Sequence, residues 1–145
     1  MKSYLVFLCV VVAANALSQE FKDKVMAKLQ AAAEKCTEET GATADDIAGL
    51  IAKKPPTTHE GQCMIFCMHK IFKVQKDDGS TGGEEAIKFL DPLKENDPAL
   101  HDKMVQIYQT CANAPTDPDP CVFATNLATC GIKTARELGI EDPFM

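Results

Sequence analysis

A chain of 145 residues with 21 acidic and 15 basic side chains has a formal net charge of −6 at pH 7. That balance disfavours phosphate backbones and anionic lipid surfaces as partners, so nucleic acid is set aside. The length suits one domain with a core of its own, and the seven cysteines then become the feature to explain.

The chain opens MKSYLVFLCVVVAANA, in which Lys2 supplies the charged region, Tyr4 to Ala13 the apolar run and Ala14-Asn15-Ala16 a small-residue cleavage site. This pattern is expected to be a secretory signal peptide over residues 1–16, leaving one domain at residues 17–145. It is too short for a membrane span, and no other stretch approaches the roughly 20 apolar residues a span needs. The expected location is therefore extracellular. Cleavage removes Lys2, making the balance one unit more negative, and it removes Cys9. Cys36, Cys63, Cys67, Cys111, Cys121 and Cys130 remain, an even set that reads as three disulfides in an oxidising compartment.

From Ser18 to about Cys36, the residues Phe21, Val25, Leu29, Ala32 and Cys36 recur at helical spacing. Thr43 is expected to cap a second helix with the stripe Ile47, Leu50 and Ile51, stopped by Pro55-Pro56. Thr57 and Glu60 have capping-box spacing ahead of a third helix running to about Gln75. KDDGSTGG, residues 76–83, reads as a solvated loop, and its Asp77-Asp78-Gly79 lacks the alternating ligands of a calcium loop. A short helix from Glu84 to Leu90 is expected to end at Asp91-Pro92. Asp97-Pro98 and Asp119-Pro120 then repeat one device, an N-cap acid followed by proline at the first helical position. The fifth helix so announced carries Leu100, Met104, Ile107, Tyr108 and Cys111 on one stripe, and the sixth carries Cys121, Phe123, Leu127 and Cys130. Gly131 weakens or breaks that last helix. No alternating strand and no internal repeat is visible. The fold class is all-α, about six helices.

The third helix contains CMIFCMHKIF, residues 63–72, with two thiols one turn apart. Cys63 and Cys67 point the same way and are poorly placed to bond each other, while Cys121 and Cys130 lie about 13 Å apart along one helix axis, out of disulfide reach. Excluding both pairs leaves ten of the fifteen schemes that six cysteines allow. In all ten the third helix is bonded to two different partners. A zinc site from these thiols plus His69 would need reduced cysteines, so no metal is expected.

The spacing Cys36, 26 residues, Cys63, three, Cys67, 43, Cys111, nine, Cys121, eight, Cys130 resembles the six-cysteine signature of insect odorant-binding proteins. The resemblance implies the bonds Cys36–Cys67, Cys63–Cys121 and Cys111–Cys130. It also implies a helical bundle around one apolar cavity, holding an odorant, pheromone or lipid-like ligand for delivery towards membrane olfactory receptors, as a monomer or weak homodimer. A same-fold scavenger or interaction protein of saliva, haemolymph or reproductive fluid would share every one of these features. A secreted lipid hydrolase fits worse: His69 is followed by Lys70 rather than an acid, no glycine-rich calcium loop is present, and no nucleophile and base are paired. Neither catalytic residues nor a cofactor are expected.

Residues lining such a cavity must be apolar and sit on inward stripes. Met68, Ile71 and Phe72 qualify on the third helix, Leu90 on the fourth, Met104, Ile107 and Tyr108 on the fifth, and Phe123 and Leu127 on the sixth. Methionine adapts to several ligand shapes, and the Tyr108 hydroxyl needs a partner, either ligand or backbone. In the tail, Phe144 is placed against the cavity, and Glu141 or Asp142 would loosen such a lid on protonation, releasing ligand as pH falls. His59 and His69 are alternative pH sensors. All three histidines, His101 included, are expected at the surface.

Overall fold

Every long helix begins where a side chain can satisfy its free amides. In the computed structural model, which describes residues 17–140, Ser18 caps α1 (Gln19–Thr40) by accepting from the Phe21 N–H. Thr43 caps α2 (Ala44–Ile51) in a reciprocal capping box with Asp46. Thr58 caps α3 (His59–Ile71), accepting from the Gly61 N–H at 3.0 Å. The cap is thus one residue beyond the expected Thr57. Asp97 and Asp119 cap α6 (Pro98–Cys111) and α7 (Pro120–Glu137), each with proline in the first turn.

Two helix ends differ from expectation for one reason. α2 stops at Ile51, ahead of the prolines, because Lys53 turns left-handed at φ 58° and the Lys53 and Lys54 amides bond back to Leu50 and Gly49. α3 stops at Ile71 rather than near Gln75, because Lys73 does the same at φ 62° and the Val74 amide reaches the His69 carbonyl. Both are Schellman closures with lysine where glycine is the usual residue. A left-handed non-glycine residue costs roughly 1–2 kcal/mol.

Closing α3 early lets the next residues fold back as a tight hairpin instead of a solvated loop. Gln75 and Thr81 form an isolated bridge, and the Gly82 amide donates to the Val74 carbonyl. A Cβ on Gly82 would collide with the Lys73 carbonyl oxygen, so only glycine fits there. Gln75, 2% exposed, donates to the Gly79 and Pro120 carbonyls and pins the hairpin to the start of α7. Asp91-Pro92 does not simply end a helix. α4 (Glu84–Phe89) closes at Leu90 and α5 (Asp91–Asn96) restarts from that residue, with Pro92 in its first turn. Seven helices result, with no strand among the described residues. Gly131 leaves α7 unbroken.

The packing order is α1 on α3, α3 on α7, α7 on α6, with α5 and α4 laid against α6. The disulfides follow the same order. Cys36–Cys67 joins α1 to α3, Cys63–Cys121 joins α3 to α7, and Cys111–Cys130 joins α6 to α7. These are the pairs the resemblance implies, and α3 is bonded to two different helices. Each contact between long helices therefore carries one covalent cross-link, of a kind that contributes about 2–4 kcal/mol. α2 is held differently, through Asp46, whose buried carboxylate also accepts from the Thr58 hydroxyl at 2.7 Å.

Candidate binding site

The inward stripe of α6 is sealed at its ends and open in its middle. Leu100 and Cys111 are buried, while Met104, Ile107 and Tyr108 between them stay partly exposed. Ile107 faces α7, its Cγ2 3.9 Å from where a Cβ on Gly131 would stand. The Tyr108 hydroxyl accepts from the Gly83 N–H at 2.7 Å, tying α6 to the residue that precedes α4, which itself has no side-chain cap. The hydroxyl's own proton remains free for a second partner. Phe72 at the end of α3 meets Phe89 of α4 edge to face at 5.8 Å. Lys28 of α1 lies over the same Phe89 ring at 5.2 Å. Leu90, the fourth-helix residue expected to line the cavity, is half-buried at the junction of α4 and α5, next to the half-buried Phe89.

The remaining candidates separate. Met68 and Ile71 pack against the cluster built on Cys36, Ala42, Met64 and Cys67. Phe123 and Leu127, each 6% exposed, belong to the buried core. Phe123 also lines a depression of about 300 Å3 beside Asp78, Ser80 and Thr116. Phe144, Glu141 and Asp142 fall outside the described residues, as do residues 1–16, where the signal peptide is expected.

A larger concavity, about 390 Å3, contains none of these candidates. It opens between the end of α2, α3 and α7, with Leu50, Ile65 and Ile132 among its apolar walls and Lys53, Lys54, Lys133 and Arg136 around it. Sequence reading missed it, although Ala128 and Ile132 lie one turn apart on the side of α7 that Cys121 begins, opposite Phe123, Leu127 and Cys130.

The histidines are not all at the surface. His101 is 8% exposed. Its Nδ1 lies 3.2 Å from Asp102, and its Nε2 has no partner among the described residues. His69 is half-buried; desolvation holds its pKa below the ordinary value, opposed by its 2.7 Å bond to Gln75. His59 is exposed and bonds Asp119 at 2.8 Å. That bond, with the Cys121 N–H and the nearby imidazole charge, lowers the Asp119 pKa. His59, Cys63 and Cys121 converge within 4.8 Å, but the two sulfurs are bonded to each other, leaving the imidazole as the one metal-competent ligand.

Residues 18–134 match the model of the PBP/GOBP family. The chain belongs to that family. General odorant-binding protein 28a of Drosophila melanogaster is 29% identical over 137 residues, covering 94% of this chain and 96% of the relative. General odorant-binding protein 19d of the same fly is 28% identical over 109 residues, 75% of this chain and 73% of the relative. The solved structure of the fly odorant-binding protein dmelOBP28a superposes with a TM-score of 0.70 at 29% identity, covering 83% of this chain and 99% of that one. The PBP/GOBP fold, all-helical with three disulfides, is thus the fold described above, and the family makes this chain a non-enzymatic small-ligand carrier.

Proposed function

We propose that this chain is a secreted carrier that takes one small apolar molecule, an odorant or pheromone, between its helices and conveys it towards membrane olfactory receptors. The observation that carries the reading is the middle of α6. Met104, Ile107 and Tyr108 lie on a stripe that faces other helices yet retain accessible surface, so apolar area there is available to a guest. In this reading Phe72, Phe89 and Leu90, also half-buried, belong to the same lining. Cross-linked helices keep this lining in place when empty, which lowers the reorganisation cost of binding. Each ligand methylene buried contributes about 0.8 kcal/mol, so a skeleton of about ten carbons reaches roughly micromolar affinity after association costs. Selectivity then comes mainly from shape, with the free Tyr108 proton available to a ligand carbonyl or hydroxyl.

The chain contains no tryptophan, so an environment-sensitive apolar dye can be followed without interference from an indole. The disulfide-intact protein is expected to bind such a dye at roughly micromolar concentration. Ile107→Trp, which fills the space beside α7, should abolish binding while helicity is retained. Unchanged dye affinity in that folded variant would rule out the interior site. Expression in insect cells should deliver a product to the medium that begins at Leu17, and retention of residues 1–16 would contradict secretion by this route.

A further inference from the structure

We propose that the groove between α2, α3 and α7 is a second binding site, which takes a single free amphiphile with an anionic head, a long-chain carboxylate. Its volume of about 390 Å3 falls in the range of small-molecule sites, roughly 300–1,000 Å3. Ile65 is buried at its base, and Leu50, Ala128 and Ile132 are half-buried around it, an apolar seat for a hydrocarbon tail. Lys53, Lys54, Lys133 and Arg136 stand exposed at the edge, with Glu137 the one acid in the wall.

Charge complementarity selects the occupant. The chain as a whole is acidic, at −6, yet this edge carries four cations against one carboxylate. None of the four forms an ion pair with a described residue. A neutral alcohol would use the apolar seat and leave the cations idle. A carboxylate uses both, accepting from the Arg136 guanidinium and the lysine ammonium groups while their stems cover the tail. The site is concave and walled by three separate elements, which suits one chain-like molecule rather than the face of a bilayer. It shares no residue with the interior lining, so it stands apart from the carrier reading.

Laurate and lauryl alcohol share a tail and differ in the head. Titrated into the isotopically labelled full chain, laurate is expected to shift the amide resonances of Ile65, Ala128 and Ile132, and to do so more weakly at high salt. Lauryl alcohol, with the same tail but no charge for the cations, should move those amides at least about tenfold less readily and without dependence on salt. The triple variant Lys53→Gln, Lys133→Gln, Arg136→Gln is expected to lose about tenfold in laurate affinity at the groove. The proposal is overturned if the alcohol moves the groove amides as strongly as laurate, or if the variant binds laurate unchanged. It is equally overturned if those amides respond to anionic vesicles but not to monomeric laurate, or respond to laurate only after residues 141–145 are deleted, since a membrane or the chain's own tail would then be the occupant.

Discussion

His101 shows how one atom can cost stability in an otherwise satisfied interior. Its ring is buried, its Nδ1 contacts a carboxylate that is 82% exposed, and its Nε2 meets no partner among the described residues. A contact to so exposed an acid contributes little, whereas a buried nitrogen stripped of water costs about 1–3 kcal/mol. Replacing the imidazole by a hydrocarbon of similar reach removes the cost with little loss of packing. His101→Leu is therefore expected to raise the unfolding free energy by about 1 kcal/mol. Urea denaturation of the disulfide-intact protein measures this. A loss of stability instead would mean that Nε2 is bonded in solution, by an enclosed water or a ligand. Gln75 is the opposite case, because that buried side chain bonds at both ends and fixes the hairpin.

At the scale of helices, lysine in the left-handed closures of α2 and α3 sets up a comparison between two chemically identical sites. Lys73 ends α3 away from the 390 Å3 groove, and Lys53 ends α2 beside it. Lys73→Gly should stabilise the protein by about 0.5–1 kcal/mol, the left-handed penalty less the backbone entropy of glycine. Lys53→Gly should stabilise similarly, read by thermal unfolding. No gain at either position would show that the lysine stems pack well enough to offset the strain. These closures also mark what the sequence could and could not disclose. Thr43, Asp97 and Asp119 were legible as caps, because an N-cap depends on one side chain and the amides beside it. The ends at Ile51 and Ile71 were not, since lysine carries no signal for a left-handed turn. Asp91-Pro92 was legible as a boundary but not as a restart, because Pro92 both ends α4 and suits the first turn of α5. The stripe on α6 was visible from its periodicity. Phe123 and Leu127, which are buried, read identically in the sequence to Met104 and Ile107, which keep accessible surface, because an inward stripe records which side of a helix is covered and not how completely. The groove was out of reach, because its walls come from Lys53-Lys54 and from Lys133 to Arg136, brought together only by the α3 to α7 packing.

For the whole molecule, the cross-links run along α1, α3, α7 and α6 in packing order, and two titrating contacts sit where α3 meets its neighbours. His59 bonds Asp119 beside the Cys63–Cys121 bridge, and His69 holds Gln75, which reaches the Pro120 carbonyl. Their pKa shifts have the same consequence in different pH windows. Burial lowers the His69 pKa, so between the ordinary value near 6.5 and the lower folded value the unfolded chain binds more protons than the folded one, and stability falls as pH falls through that interval. Asp119 is lowered by the His59 bond and the Cys121 amide, so its contribution is complete above about pH 4 and fades as pH drops through its folded value. The disulfides do not titrate, so the helices stay tethered while the hairpin at residues 75–82 and the end of α3, next to Phe72, become easier to open. The melting temperature is therefore expected to decline in two stages on acidification, first below about pH 6.5 and again below about pH 4. His69→Gln keeps a hydrogen-bonding group for Gln75 but removes the titration, and should flatten the first stage while leaving the second. A melting temperature constant between neutral pH and about pH 5, or a first stage that persists in His69→Gln, would show that His69 does not couple protonation to the fold.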